Sequence, residues 1–132
     1  MKELLYLKDD QLKDFIEKLF IGYRESFSDA KGVLEKYSIG LAHHKVIHLL
    51  SIYSGITISE LLKKLKITKQ SLNRVLKDLI KLNVISFKKG KKLFEEIFSN
   101  QKKRIYKALL NSSAKEVLHF NKVINRIINE KI

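Results

Sequence analysis

Lys69, Gln70, Ser71, Asn73, Arg74 and Lys77 fall within nine residues of one another, and their side chains are the types that read and grip a polyanionic duplex. An arginine fork can bond O6 and N7 of guanine together, and the amide of Gln or Asn can do the same with N6 and N7 of adenine. Lysine neutralises phosphate. The six stand in KITKQSLNRVLKDLIKLNVI, residues 66–85, which carries five basic side chains against one acid.

For such groups to act together a helix must hold them on one side, and the apolar spacing supplies it. Leu72, Val75, Leu76, Leu79 and Ile80 form the stripe expected to be buried, leaving the six polar residues outside it. Thr68 stands where its hydroxyl can cap the first turn. Charge is concentrated in the same place. Residues 63–92 hold eleven Lys and Arg and the single acid Asp78, whereas the other 102 residues hold sixteen bases and thirteen acids. A codon bias toward lysine would raise lysine everywhere without emptying one segment of acids. A lysine-rich face that merely meets water is the plain alternative. The coincidence of acid depletion with a helix-turn-helix pattern favours double-stranded DNA as partner.

The remaining elements can be placed around this one. Spacings of three and four from Gln11 to Phe27 predict a first helix, followed by a looser stretch with a break near Gly32. A helix from Leu41 to Tyr53 should turn Val46, Ile47, Leu49, Leu50 and Tyr53 inward and end at Gly55. In ITISELLKKL a short extended piece should lead to Ser59 as cap of a helix carrying Leu61, Leu62 and Leu65. VISF (84–87) reads as a short strand. Two helices, about Lys91–Leu110 and from the turn NSSA to about Asn129, complete the chain. The fold class expected is mainly α with a small β wing: a winged helix-turn-helix (40–90) flanked by N- and C-terminal dimerisation helices (1–39 and 91–132), all one domain.

Other chemistry is poorly supported. With no cysteine among 132 residues there is no disulfide, thiolate zinc site or cysteine nucleophile. Glu95 and Glu96 are adjacent on a helix and so do not face each other, and no GxSxG, P-loop or GxGxxG is present; no catalytic residue is assigned. His44 and His48 are four apart, and Glu116 lies near His119, yet no third ligand stands at readable spacing. No metal and no cofactor is expected. MKELLYLKDD lacks a signal-peptide pattern, and no apolar run approaches the roughly 20 residues of a membrane span. The cationic helix has modest Leu, Val and Ile and neighbours to cover them, so it is not a membrane binder. A cytoplasmic protein is expected.

One reading head gives little affinity; two at half-sites a helical turn apart give more. The stripes furthest from the centre suit this pairing: Leu12, Phe15, Leu19 and Tyr23 in the first helix, and Val117, Phe120, Ile124 and Ile128 in the last. The competing reading is that the termini bundle within one chain.

GLAHHKVIHLLSIYSGITISELLKKLKITKQSLNRVLKDLIKLNVISF, residues 40–87, resembles the winged helix-turn-helix of MarR-type transcriptional regulators. The leucines of ISELLKKL, the ITKQSLNRVL segment and NVIS carry the likeness. AHHKVIH…ITKQSL looks most like an alphaproteobacterial, PetP-like branch, and the flanking helices fit the family layout. The resemblance implies an intertwined homodimer, and the role expected is a transcriptional regulator, a repressor before an activator, reading a pseudo-palindromic operator. It also implies a small lipophilic or anionic effector between dimer region and reading head, where Tyr23, His43, His44 and Tyr53 are candidate lining residues. Thr68, Lys69, Gln70, Ser71, Asn73, Arg74 and Lys77, with Lys88 and Lys89 beyond, are the candidate DNA contacts. There is one departure. The family carries a β-hairpin wing, whereas VISFKKGKKLFEEIF passes almost directly into a helix, with Gly90 in the place of the glycine that closes the wing. Either the wing is truncated, or about a dozen residues are missing from the sequence at this point. A nonspecific architectural DNA binder or a protein-interaction module is the alternative function.

Overall fold

The computed structural model describes residues 4–83 and 87–132, with residues 87–90 described by their backbone alone. Among these residues the chain is mainly α. A 3-10 turn, Leu5–Leu7, precedes α1 (Asp9–Ser28), α2 (Lys31–Lys36), α3 (Leu41–Ile52), α4 (Ile58–Leu65), α5 (Lys69–Lys81), α6 (Phe87–Leu110) and α7 (Ala114–Asn129). No strand occurs among the described residues. The expected VISF strand falls chiefly on residues 84–86, outside them, and Phe87 already belongs to α6.

Helix α6 therefore starts four residues ahead of expectation, and Gly90 lies within it instead of closing a wing. Lysine is a good helix former, and a single Gly costs about 1 kcal/mol in a helix that is already propagating. Burial of Leu93 and Ile97 on the same helix outweighs that. The stretch expected to break near Gly32 is likewise helical: Gly32 sits inside α2, anchored by the buried Ala30 and Leu34 on either side.

Two compact units divide the chain, residues 1–101 and 102–132. In the first, α3 packs against α2, α4 and α5. The core comprises Ala30, Leu34, Ile39, Val46, Ile47, Leu61, Leu72, Val75, Leu79, Leu93 and Ile97. At α6, Glu96 accepts a hydrogen bond from the Tyr37 hydroxyl at 3.1 Å and pairs with Lys36 at 3.6 Å, tying the end of α2 to that helix.

Three side chains expected inward or at caps differ. Tyr53 lies beyond the end of α3 and is 43% exposed, with the Lys64 ammonium 4.5 Å above its ring. Ile80 is 59% exposed, because Leu72, Val75 and Leu79 already fill the groove that α5 presents to the core. The cap of α4 is Thr57, two residues before Ser59: the Thr57 hydroxyl accepts from the Glu60 N–H, and the Glu60 carboxylate accepts from the Thr57 N–H, both at 3.1 Å. Gly55 has φ +73°, the left-handed backbone expected there, within the turn after α3.

The two terminal stripes are short of burial. Over its twenty residues α1 has no buried side chain; Leu12 and Phe15 are exposed and Leu19 half-buried. In the second unit no described residue is buried. Ser113 and Glu116 close a reciprocal cap on α7, and the Ser113 N–H, then the Ser113 hydroxyl, hold the Glu116 carboxyl below its usual range. Val117 and Ile124 are half-buried, while Phe120 and Ile128 are 58% and 69% exposed. Among the described residues no helix is long and apolar enough to cross a membrane.

Candidate nucleic-acid interface

The reading head is built by a turn of three residues, Lys66, Ile67 and Thr68, between α4 and α5. Lys66 adopts a left-handed backbone (φ 52°, ψ 46°), and its N–H closes α4 on the Leu62 carbonyl at 2.8 Å. That conformation costs a residue with a β-carbon roughly 1 kcal/mol, and it redirects the chain sharply enough for α5 to start at once. Thr68 then caps α5, its hydroxyl accepting from the Ser71 N–H at 3.1 Å and donating to the Ser71 hydroxyl at 2.9 Å.

Leu72, Val75 and Leu79 face inward, and so rotate Lys69, Gln70, Ser71, Asn73, Arg74 and Lys77 to the outside, where all six are exposed. Lys63, Lys64, Lys66 and Lys81 are exposed as well. Among the described residues, the acids in ion pairs are Asp14, Glu25, Asp78 and Glu96, and none of these pairs reaches a cation of this segment. The face is thus a concentrated positive field whose charges are not internally neutralised. Lys88 and Lys89 fall in α6, and their side chains lie outside the described residues.

The single acid of the segment has its own partner. Asp78 Oδ2 lies 2.9 Å from His43 Nε2, and His43 Nδ1 accepts from the Gly40 N–H at 3.1 Å. An acceptor Nδ1 carries no proton, so Nε2 is the protonated nitrogen and donates to Asp78. Neither this link nor the Thr57 cap belongs to the expectations from sequence. The Thr57–Glu60 spacing is a capping-box signature readable in the sequence, whereas nothing local joins His43 to a residue 35 positions on.

Of the four candidate pocket residues, one lines the described cavity. Tyr23 lines a cavity of about 420 Å³ with Phe27, Leu34, Ile39 and Leu41, and with Arg24 and Lys31. His43, His44 and Tyr53 do not line it. His44 is 1% exposed, with neither ring nitrogen in hydrogen-bonding geometry and its ring 5.0 Å from that of Phe27. Burial pushes the His44 imidazole below its ordinary range, the Gln101 side chain opposing this and His48 adding to it. Among the described residues no group of three His, Asp or Glu side chains is placed to hold a metal.

A capped, outward-facing basic helix packed on α3 and joined to α4 by a three-residue turn is the helix-turn-helix arrangement, and the profile of the MarR family matches residues 37–90. The chain carries a MarR-family domain. This MarR domain is part of a wider likeness to the HTH-type transcriptional regulator PetP of Rhodobacter capsulatus: 39% identity over 89 residues, covering 67% of this chain and 54% of that protein. The chain therefore matches about half the length of that curated relative. No solved structure matches it.

Proposed function

We propose that the chain is a homodimeric, sequence-specific DNA-binding transcriptional regulator of the cytoplasm, acting as a repressor. The observation that carries this reading is the outward face of α5, where Gln70, Asn73 and Arg74 stand exposed among cations that have no ion pair to an acid among the described residues. The domain's family and the likeness to a protein described as a transcriptional regulator support it. The α5 N-terminus enters the major groove, Arg74, Gln70 and Asn73 meet base edges, and Lys63, Lys66, Lys69 and Lys77 neutralise phosphates.

Dimerisation rests on the uncovered stripes of α1 and α7. An amphipathic helix gains little by standing alone in water, and faces as apolar as Phe15, Phe20, Phe120 and Ile128 call for a partner surface. A second copy supplies one, and sets two α5 helices on the halves of a pseudo-palindrome. The Tyr23–Phe27–Leu34 cavity, whose charged lining residues are Arg24, Lys31 and Glu35, suits a small lipophilic effector. A ligand preferring the conformation in which the two heads are misplaced would release DNA by population shift.

The test is enrichment of bound duplexes from a random-sequence pool, followed by competition with excess random DNA. A sequence-specific regulator enriches one two-fold-related motif and holds it against the competitor. Enrichment of nothing, with binding that competitor abolishes, identifies an architectural binder instead.

A further inference from the structure

We infer that His43 and Asp78 are positioning residues for DNA reading: the imidazole locks the rotation of α5 about its own axis, and so decides where Arg74 points. The inference rests on the DNA-reading function and adds the device that orients the reading face.

The core between α3 and α5 is apolar, through Val46 and Ile47 on one side and Leu72, Val75 and Leu79 on the other. Apolar contact is strong but not directional, and leaves a helix some freedom to roll. A hydrogen bond to a carboxylate is short and directional. His43 makes the only such bond between these two helices among the described residues, and both of its nitrogens are committed. Nδ1 is anchored to the Gly40 N–H at the start of α3, and Nε2 holds Asp78 on α5. Because the ring is fixed at its inner nitrogen, it is a rigid strut rather than a swinging arm. Asp78 lies four residues after Arg74, so the two share a face of α5 one turn apart. A roll that moved Asp78 would move Arg74 with it. Asp78 is also the one carboxylate of α5, and with it engaged by His43 the guanidinium has no ion pair among the described residues.

The experiment uses the full chain, the duplex that the wild type enriches from a random pool, and a scrambled duplex of equal length. Affinity for both is read by fluorescence anisotropy, with thermal melting alongside. Asp78→Leu removes the link from the α5 side and leaves the α3 cap intact. His43→Glu keeps an acceptor for Gly40 but sets two carboxylates against each other. Each is expected to lower the ratio of the two affinities about ten-fold, the worth of one base contact. Asp78→Asn, whose amide oxygen still accepts from Nε2, stays within about two-fold. His43→Glu combined with Asp78→Asn lets the amide donate to the new carboxylate and recovers most of the ratio. Added negative charge alone weakens both duplexes together and leaves the ratio unchanged. If Asp78→Leu and His43→Glu discriminate as well as wild type, or the double variant fails to recover while melting normally, the positioning role is wrong. A wild type that enriches no sequence overturns the DNA-reading function itself, and this inference with it.

Discussion

Arg74→Ala separates base reading from charge attraction. Arg74 is exposed and has no ion pair among the described residues, so its removal should change folding stability by no more than about 0.5 kcal/mol. Any larger effect on binding then belongs to the interface. A guanidinium placed on guanine by the capped first turns of α5 is worth about 1–3 kcal/mol of discrimination, or roughly five- to 150-fold in affinity for the enriched duplex. On random DNA only one phosphate-range charge is lost, which lowers the slope of log affinity against log salt by about 1. Fluorescence anisotropy on both duplexes at several salt concentrations, with a thermal melt of the variant, measures every quantity. Equal loss on the two duplexes, with the salt slope reduced by one unit, would make Arg74 a phosphate contact and refute the reading-face argument.

Three other outcomes follow from the same structure. Thr68→Ala removes the α5 cap and should cost about 1 kcal/mol, seen as a lower melting temperature that Thr68→Ser largely restores. Phe120→Asp with Ile124→Asp should give a monomer by light scattering if the α7 stripe is the dimer seam; a dimer that persists would move the seam elsewhere. His44, whose folded-state imidazole resists protonation, binds protons more readily when unfolded. Its contribution to stability is present above the unfolded value of about 6.5 and is lost as pH falls below it, so melting temperature should drop on acidification and do so less in His44→Leu.

How much of this was legible depends on the distance over which each signal acts. The Thr68 cap and the Leu72, Val75 and Leu79 stripe are local and periodic, and α5 follows from them with its six polar residues outward. Ile80 belonged to the same apolar run, but whether a stripe's edge is covered depends on what the neighbouring helices leave open. Ile56-Thr57-Ile58 reads as extended by composition, which points to Ser59 as the cap, although the Thr57–Glu60 spacing is itself a reciprocal-cap pattern. Helix α2 contains Gly32 and shows little intrinsic signal; its order comes from Ala30 and Leu34 entering a core built largely by later residues. The His43–Asp78 link spans 35 positions, and only folding brings its partners together. The family's wing makes Gly90 look like a wing glycine, whereas its backbone lies within α6.

Lys66 has a consequence for anyone who would make this protein hardier. Its left-handed backbone is a conformation that glycine adopts freely, and Lys66→Gly should relieve roughly 1 kcal/mol of steric conflict. The same change deletes a cation at the corner from which α5 departs. If α5 reads DNA as proposed, heat resistance and grip on the duplex pull in opposite directions at one residue, and a screen for thermal tolerance alone would select against the lysine.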